Sequence, residues 1–177
     1  HELIHAFHYD DFEDTVQIIK HYQKKYNILS SNINTNEAYT EIWANIINCY
    51  LISQKTGRNQ YNLFLILIAL EKEFAIFQAH KVFYLTKLNE KKIDINKHTN
   101  VLAYYIIRSE IYNRLSPFLK FCKQHNDDYI KLREEKEWFE FIKKNRTIMK
   151  NNRRFNTIRK NDYLFTTMRM SLNELDI

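Results

Sequence analysis

The chain has 177 residues, a mass of 21.7 kDa and a formal net charge of +6, with 27 Lys and Arg against 21 Asp and Glu. Hydrophobic residues make up 45%, enough for the core of one domain, which argues against a disordered chain. A single Gly and a single Pro exclude a glycine-rich phosphate loop and leave little material for hairpins, so a mainly α fold with simple connections is expected.

The hydrophobic spacing predicts the elements in turn. His1–Tyr9 reads as a helix and Asp10-Asp11 as its break. Phe12–Tyr26 reads as a second helix with Val16, Ile19, Tyr22 and Tyr26 on one face. Residues 27–35 are turn-rich, and Asn34 or Thr35 is placed to cap a helix over 36–53. That helix carries an apolar stripe of Tyr39, Ile42, Trp43, Ile46, Ile47 and Tyr50. A loop with the only Gly precedes a long apolar helix over 60–89, and a second loop precedes another over 99–124. Ser116-Pro117 is expected to kink or split the latter, since Pro has no N–H for the helix ladder. A charged helix is predicted over 127–144. The longest apolar run, Leu63–Leu70, is too short to span a bilayer, and nothing resembles a signal peptide. Cys49 and Cys122 form no metal or redox motif, so a reducing, intracellular setting is expected.

The first five residues, His1-Glu2-Leu3-Ile4-His5, spell HExxH. Four positions on a helix make about one turn, so both imidazoles project from one face and can share a zinc ion, with Glu2 just to the side. Thirty-one residues later comes Asn36-Glu37-Ala38-Tyr39-Thr40-Glu41. Glu37, Glu41, Ala44 and Asn48 share a helix face opposite the aromatic stripe. Two acids, a small residue and an amide suit a neighbour bearing a dication; a solvated acidic face is the plain alternative. A rival metal set would combine His5, His8 and an acid such as Asp11.

The pair of motifs resembles the HExxH and Asn-Glu-x-x-Ser/Thr-Asp/Glu segments of gluzincins, the thermolysin-like zinc metallopeptidases. The resemblance covers about Glu2–Asn48. It implies that His1, His5 and Glu37 bind Zn2+, that Glu2 is the general base of peptide-bond hydrolysis, and that Glu41 orients a zinc-bound histidine. It also implies a fold that is the helical C-terminal part of a zincin, with a β-sheet subdomain upstream of His1 that this sequence lacks. Because the chain starts with His rather than Met, it reads as a processed product or as part of something longer. The spacer before Glu37 is longer than in thermolysin and adds a helix.

Three divisions follow: 1–54 with the zinc-site helices, a helical subdomain over 55–144, and a basic segment over 145–177. Gluzincins place a Tyr, His or Arg near the substrate oxyanion. Val101, Tyr105, Arg108 and Tyr112 form a polar-tipped stripe from which Tyr105 and Arg108 are the candidates, beside a core stripe of Tyr104, Ile107, Ile111 and Leu115. The alternative is that these aromatics pack and Arg108 snorkels to water. From Lys143 to Arg169, nine Lys and Arg face one acid, Asp162, with Phe155, Tyr163 and Phe165 interleaved. Such a stretch suits nucleic acid, an acidic partner in a larger assembly, or plain solvent. A non-catalytic helical scaffold is therefore the second functional reading. The Glu37-x-Tyr39-x-Glu41-x-Trp43-Ala44 run and the abundance of Asn, Ile, Lys and Tyr are also similar to zinc peptidases of giant DNA viruses. That likeness implies a protein made in a host cytoplasm and packaged in virions.

Overall fold

The computed structural model describes residues 1–55, 57–88, 90, 92–97, 99–145 and 163–174. The protein is mainly α. Its helices are α1 (Glu2–Ala6), α2 (Val16–Tyr26), α3 (Thr35–Gln54), α4 (Gln60–Thr86), a π-helix (Leu102–Ile107) running into α5 (Arg108–Asn113), α6 (Leu115–His125), α7 (Glu135–Lys143) and α8 (Tyr163–Thr166). A short antiparallel pair, β1 (Asn126–Asp127) and β2 (Lys131–Leu132), separates α6 from α7. No helix among the described residues is long and apolar enough to cross a membrane.

With one glycine in the chain, asparagine takes over many of the sharp corners. Asn27, Asn34 and Asn59 adopt left-handed backbone at φ of 52°, 58° and 53°, as asparagine tolerates better than most residues. His8 does the same at φ 56°, and this stops α1 short of the expected Tyr9. The N–H of Tyr9 reaches the Ile4 carbonyl at 3.1 Å and that of His8 reaches His5 at 2.9 Å, a Schellman closure.

Other boundaries moved for equally local reasons. α2 starts at Val16, where the Thr15 hydroxyl accepts from Ile18 N, and its buried face is Ile18, Tyr22 and Tyr26 while Val16 is exposed. α3 is not capped by the side chain of Asn34. Asp14 reaches across instead, accepting from Thr35 N at 3.0 Å and from the Thr35 hydroxyl. The apolar stripe of α3 is buried through Trp43, but Ile47 and Tyr50 are exposed. The long helix breaks at Arg114, three residues ahead of Pro117. Pro117 thus lies in the first turn of α6, where its missing N–H costs nothing. Asp128 and Tyr129, both at positive φ, turn the chain between β1 and β2, so the helix expected over 127–144 begins only at Glu135.

One hydrophobic cluster joins side chains from Ile4 to Ile142, across the expected boundary near residue 54. At its centre Trp138, fully buried, donates from Nε1 to the Thr35 hydroxyl at 2.9 Å and packs against Tyr39, Phe118, Phe121 and Phe141. Of the basic stretch and the 145–177 segment, residues 146–162 and 175–177 lie outside the described residues.

A buried ion pair ties α2 to α5. Lys25 Nζ lies 2.8 Å from Glu110 Oε1, and Tyr22 and Tyr26 also donate to that carboxylate. Burial raises the Glu110 pKa and Lys25 pulls it back. Removing one partner of such a pair strands the other. Glu110→Ala should therefore lower stability by about 3–5 kcal/mol. Lys143→Ala, at an exposed pair with Glu140 3.7 Å apart, should leave stability unchanged. Urea denaturation of the two variants checks this, and equal midpoints would contradict it.

Candidate metal centre

Two helices bring the motif residues together. α1 lays Ile4 into the core and leaves His1 and His5, one turn apart, on the side facing α3. Opposite them α3 presents Glu37 and Glu41, again one turn apart. The two imidazole Nε2 atoms are 2.9 Å apart, and Glu37 Oε2 lies 3.6 Å from that of His1 and 3.9 Å from that of His5. Among the described residues, His1, His5 and Glu37 form the set whose ligand atoms all lie within 4.8 Å of one another.

Each imidazole is held from behind by a buried carboxylate. His5 Nδ1 is 2.7 Å from Asp10 Oδ2, and Asp10 is fixed in turn by the Thr40 hydroxyl at 2.7 Å. His1 Nδ1 lies against Glu41 Oε1, while the other Glu41 oxygen is 3.8 Å from Arg108 Nη1. In the tautomer that carries both protons on Nδ1, beside the carboxylates, the two Nε2 atoms face each other and Glu37 as lone pairs. Three acceptors converging this closely repel unless a positive charge lies between them.

The three ligand atoms lie close enough together for one small cation to touch them all. The donors are two imidazoles and one carboxylate, and each imidazole has its outer nitrogen anchored, as metal-bound histidine requires. The residues present therefore fit a zinc ion with three protein ligands.

No protein family, curated protein or solved structure matches this chain.

That cleft, of about 670 Å³, is lined by His1, Glu2, Tyr104, α3 residues including Glu41 and Ala44, and Met170–Ser171 with Asn173–Glu174. Glu2 is almost fully exposed there, with Oε1 4.0 Å from His1 Nε2. The expected oxyanion residues are elsewhere. Tyr105 and Arg108 are both buried and do not line the cleft. Arg108 is fully buried and donates from Nη1 to Asn45 Oδ1 at 3.2 Å, so it neither snorkels to water nor reaches a substrate.

Tyr104, not Tyr105, lines the cleft. Its hydroxyl donates to Glu37 Oε2 at 3.0 Å, and burial with Glu37 and Glu41 nearby pushes its pKa up to about 12. The expected stripe stays together, with Arg108 and Tyr112 both donating to Asn45 Oδ1, but it is buried, while Tyr104 of the neighbouring stripe lines the cleft. The rival set does not form, because exposed His8 pairs with Asp11 at 2.7 Å, apart from the cluster. Sequence reasoning also missed Asp10 and Thr40. The signal for Asp10 was its place just after the motif helix, where the second nitrogen of His5 needs an acceptor.

The Glu41 contact, and the charges of Glu41, Glu37 and Glu2, raise the His1 pKa above 6.5 against the opposing effect of burial. A raised histidine pKa adds stability that is full below the unfolded value and fades as pH rises through the folded one. In metal-free protein, His1→Gln should thus lower Tm most below about pH 6.5 and progressively less on alkaline titration. A Tm difference that grows with pH would contradict this.

Proposed function

We propose that this chain carries the zinc-binding helices of a gluzincin-type metallopeptidase and hydrolyses peptide bonds with Glu2 as general base. The observation that carries the reading is the double anchoring of the imidazoles, His1 by Glu41 and His5 by Asp10, with both Nε2 atoms aimed at Glu37.

A zinc ion bound by His1, His5 and Glu37 would supply Lewis acidity to a scissile carbonyl and would lower the pKa of water to about 7. The chain's own residues do the rest. Glu2, beside the ligands and open to the cleft, accepts a proton from the attacking water and returns it to the leaving amine. Tyr104, whose pKa near 12 keeps its hydroxyl protonated at neutral pH, donates to the developing oxyanion once substrate displaces its bond to Glu37. Arg108 lies behind Glu41 and balances its buried charge without meeting substrate. Asp10 and Glu41 hold the imidazole planes and tautomers. The substrate is a peptide or protein. Cys49 and Cys122, both free and buried, agree with a reducing, intracellular location.

Two variants test the reading. Glu2→Gln should retain one zinc per chain and lose hydrolysis by about 10²–10⁴-fold, measured with a quenched peptide and by metal analysis. Full activity in that variant would remove Glu2 from the mechanism. Glu41→Gln should weaken zinc affinity about 10–100-fold in competition with a chromophoric chelator. An unchanged affinity would mean that Glu41 does not support His1.

A further inference from the structure

Two charges buried on α4 have partners in one distant stretch of chain. Glu71 is 1% exposed, and its Oε1 accepts from the Ser171 hydroxyl at 2.5 Å, Leu172 N at 3.0 Å, Asn173 N at 3.4 Å and Asn173 Nδ2 at 3.0 Å. Lys81, fully buried, donates from Nζ to the Leu164 carbonyl at 2.6 Å and to that of Thr167. The polarities match the backbone they meet. The anion collects the free N–H groups that open the short 3₁₀ turn Leu172–Glu174, and the cation collects carbonyls at the end of α8.

A buried charge is costly unless paired and hydrogen-bonded, so these two side chains dictate where the segment lies. It lies along the metal-centre cleft. Met170, Ser171, Asn173 and Glu174 form the wall that shares the cleft with His1, Glu2 and Tyr104. Among the described residues, the charged ones lining this cleft are the acids Glu2, Glu41 and Glu174, besides His1. Glu2 and Glu41 serve the proposed chemistry and the His1 anchor, which leaves Glu174, exposed on the wall, to face a substrate.

We propose that the Met170–Glu174 segment, moored on Glu71, is the specificity-determining wall of the cleft, and that Glu174 on it favours peptides with a cationic side chain near the scissile bond. This rests on the metallopeptidase reading above. Glu71 touches no substrate and acts as a positioning residue through the turn it holds. Glu174 acts by charge from the exposed wall of the cleft, where one opposite charge attracts and a like charge repels.

The test uses the full chain loaded with zinc and quenched peptides identical except for Lys or Glu at one position, scanned across the scissile bond. The wild type should favour a Lys peptide over its Glu counterpart by about five- to tenfold in kcat/KM. Glu174→Lys should abolish or invert that preference at unchanged zinc content. Glu71→Gln should flatten it and speed hydrogen exchange at the Leu172 and Asn173 amides by about tenfold or more. The proposal is overturned if Glu174→Lys keeps the wild-type preference, or if Glu71→Gln leaves both exchange and selectivity as they were. Should Glu71→Gln fail to fold, the exposed Glu174→Lys decides alone. A wild type that neither holds zinc nor cleaves any peptide would sink the peptidase reading itself, a result distinct from cleavage without charge preference.

Discussion

Two buried carboxylates gripping two imidazoles are the constraint on which the site depends. An exposed imidazole rotates and exchanges tautomers freely, whereas His1 and His5 are each held by one nitrogen against Glu41 and Asp10. Fixing the Nδ1 side fixes the Nε2 side, and both Nε2 atoms then meet Glu37. The carboxylates are themselves built in: Glu41 from the middle of α3, Asp10 by the Thr40 hydroxyl one residue earlier on the same helix. A single helix thus supplies the third candidate ligand, the anchor of one histidine and the clasp on the anchor of the other. The remaining core serves to hold α3 still. Tyr39 and Trp43 bury its far side among Phe118 and Trp138, and Asp14 caps its first turn.

The charge arrangement behind the site is equally specific. Glu41 is buried, and the buried Arg108 stands on its other side, so the carboxylate faces a cation from one direction and an imidazole from the other. This ordering gives Arg108 a reason to be fully buried that has nothing to do with binding a substrate. The cleft side, by contrast, is left to Glu2, Tyr104 and the segment moored on Glu71.

Much of this was legible in the sequence wherever α-helical spacing holds. The separations of His1 from His5 and of Glu37 from Glu41 are one turn each, and the structure places all four in one cluster. The mainly helical fold followed from the scarcity of glycine and proline. What could not be read was whatever depended on non-helical backbone or on distant chain. Tyr105 and Arg108 are buried, and Tyr104 of the stripe read as core meets Glu37 instead, because spacing shows which residues share a face but not which distant chain that face meets. Asp10 follows a left-handed turn at His8 that periodicity does not register. The Asp14 cap and the Glu71 mooring join residues 21 and about 100 positions apart, and no local pattern announces either. α4 reads as uniformly apolar, yet Tyr61, Leu65, Ile66 and Leu70 are exposed and the buried positions fall mainly in its second half.

The most direct test of the central claim is X-ray absorption at the zinc edge on the full chain, purified, loaded with zinc and freed of excess metal. The account predicts one zinc per chain with two imidazole nitrogens and carboxylate oxygen at about 2.0–2.2 Å, and loss of the imidazole signature in a His1→Gln, His5→Gln double variant. Zinc that washes off the wild type, or a spectrum of sulfur or water ligands that the double variant leaves unchanged, would contradict it.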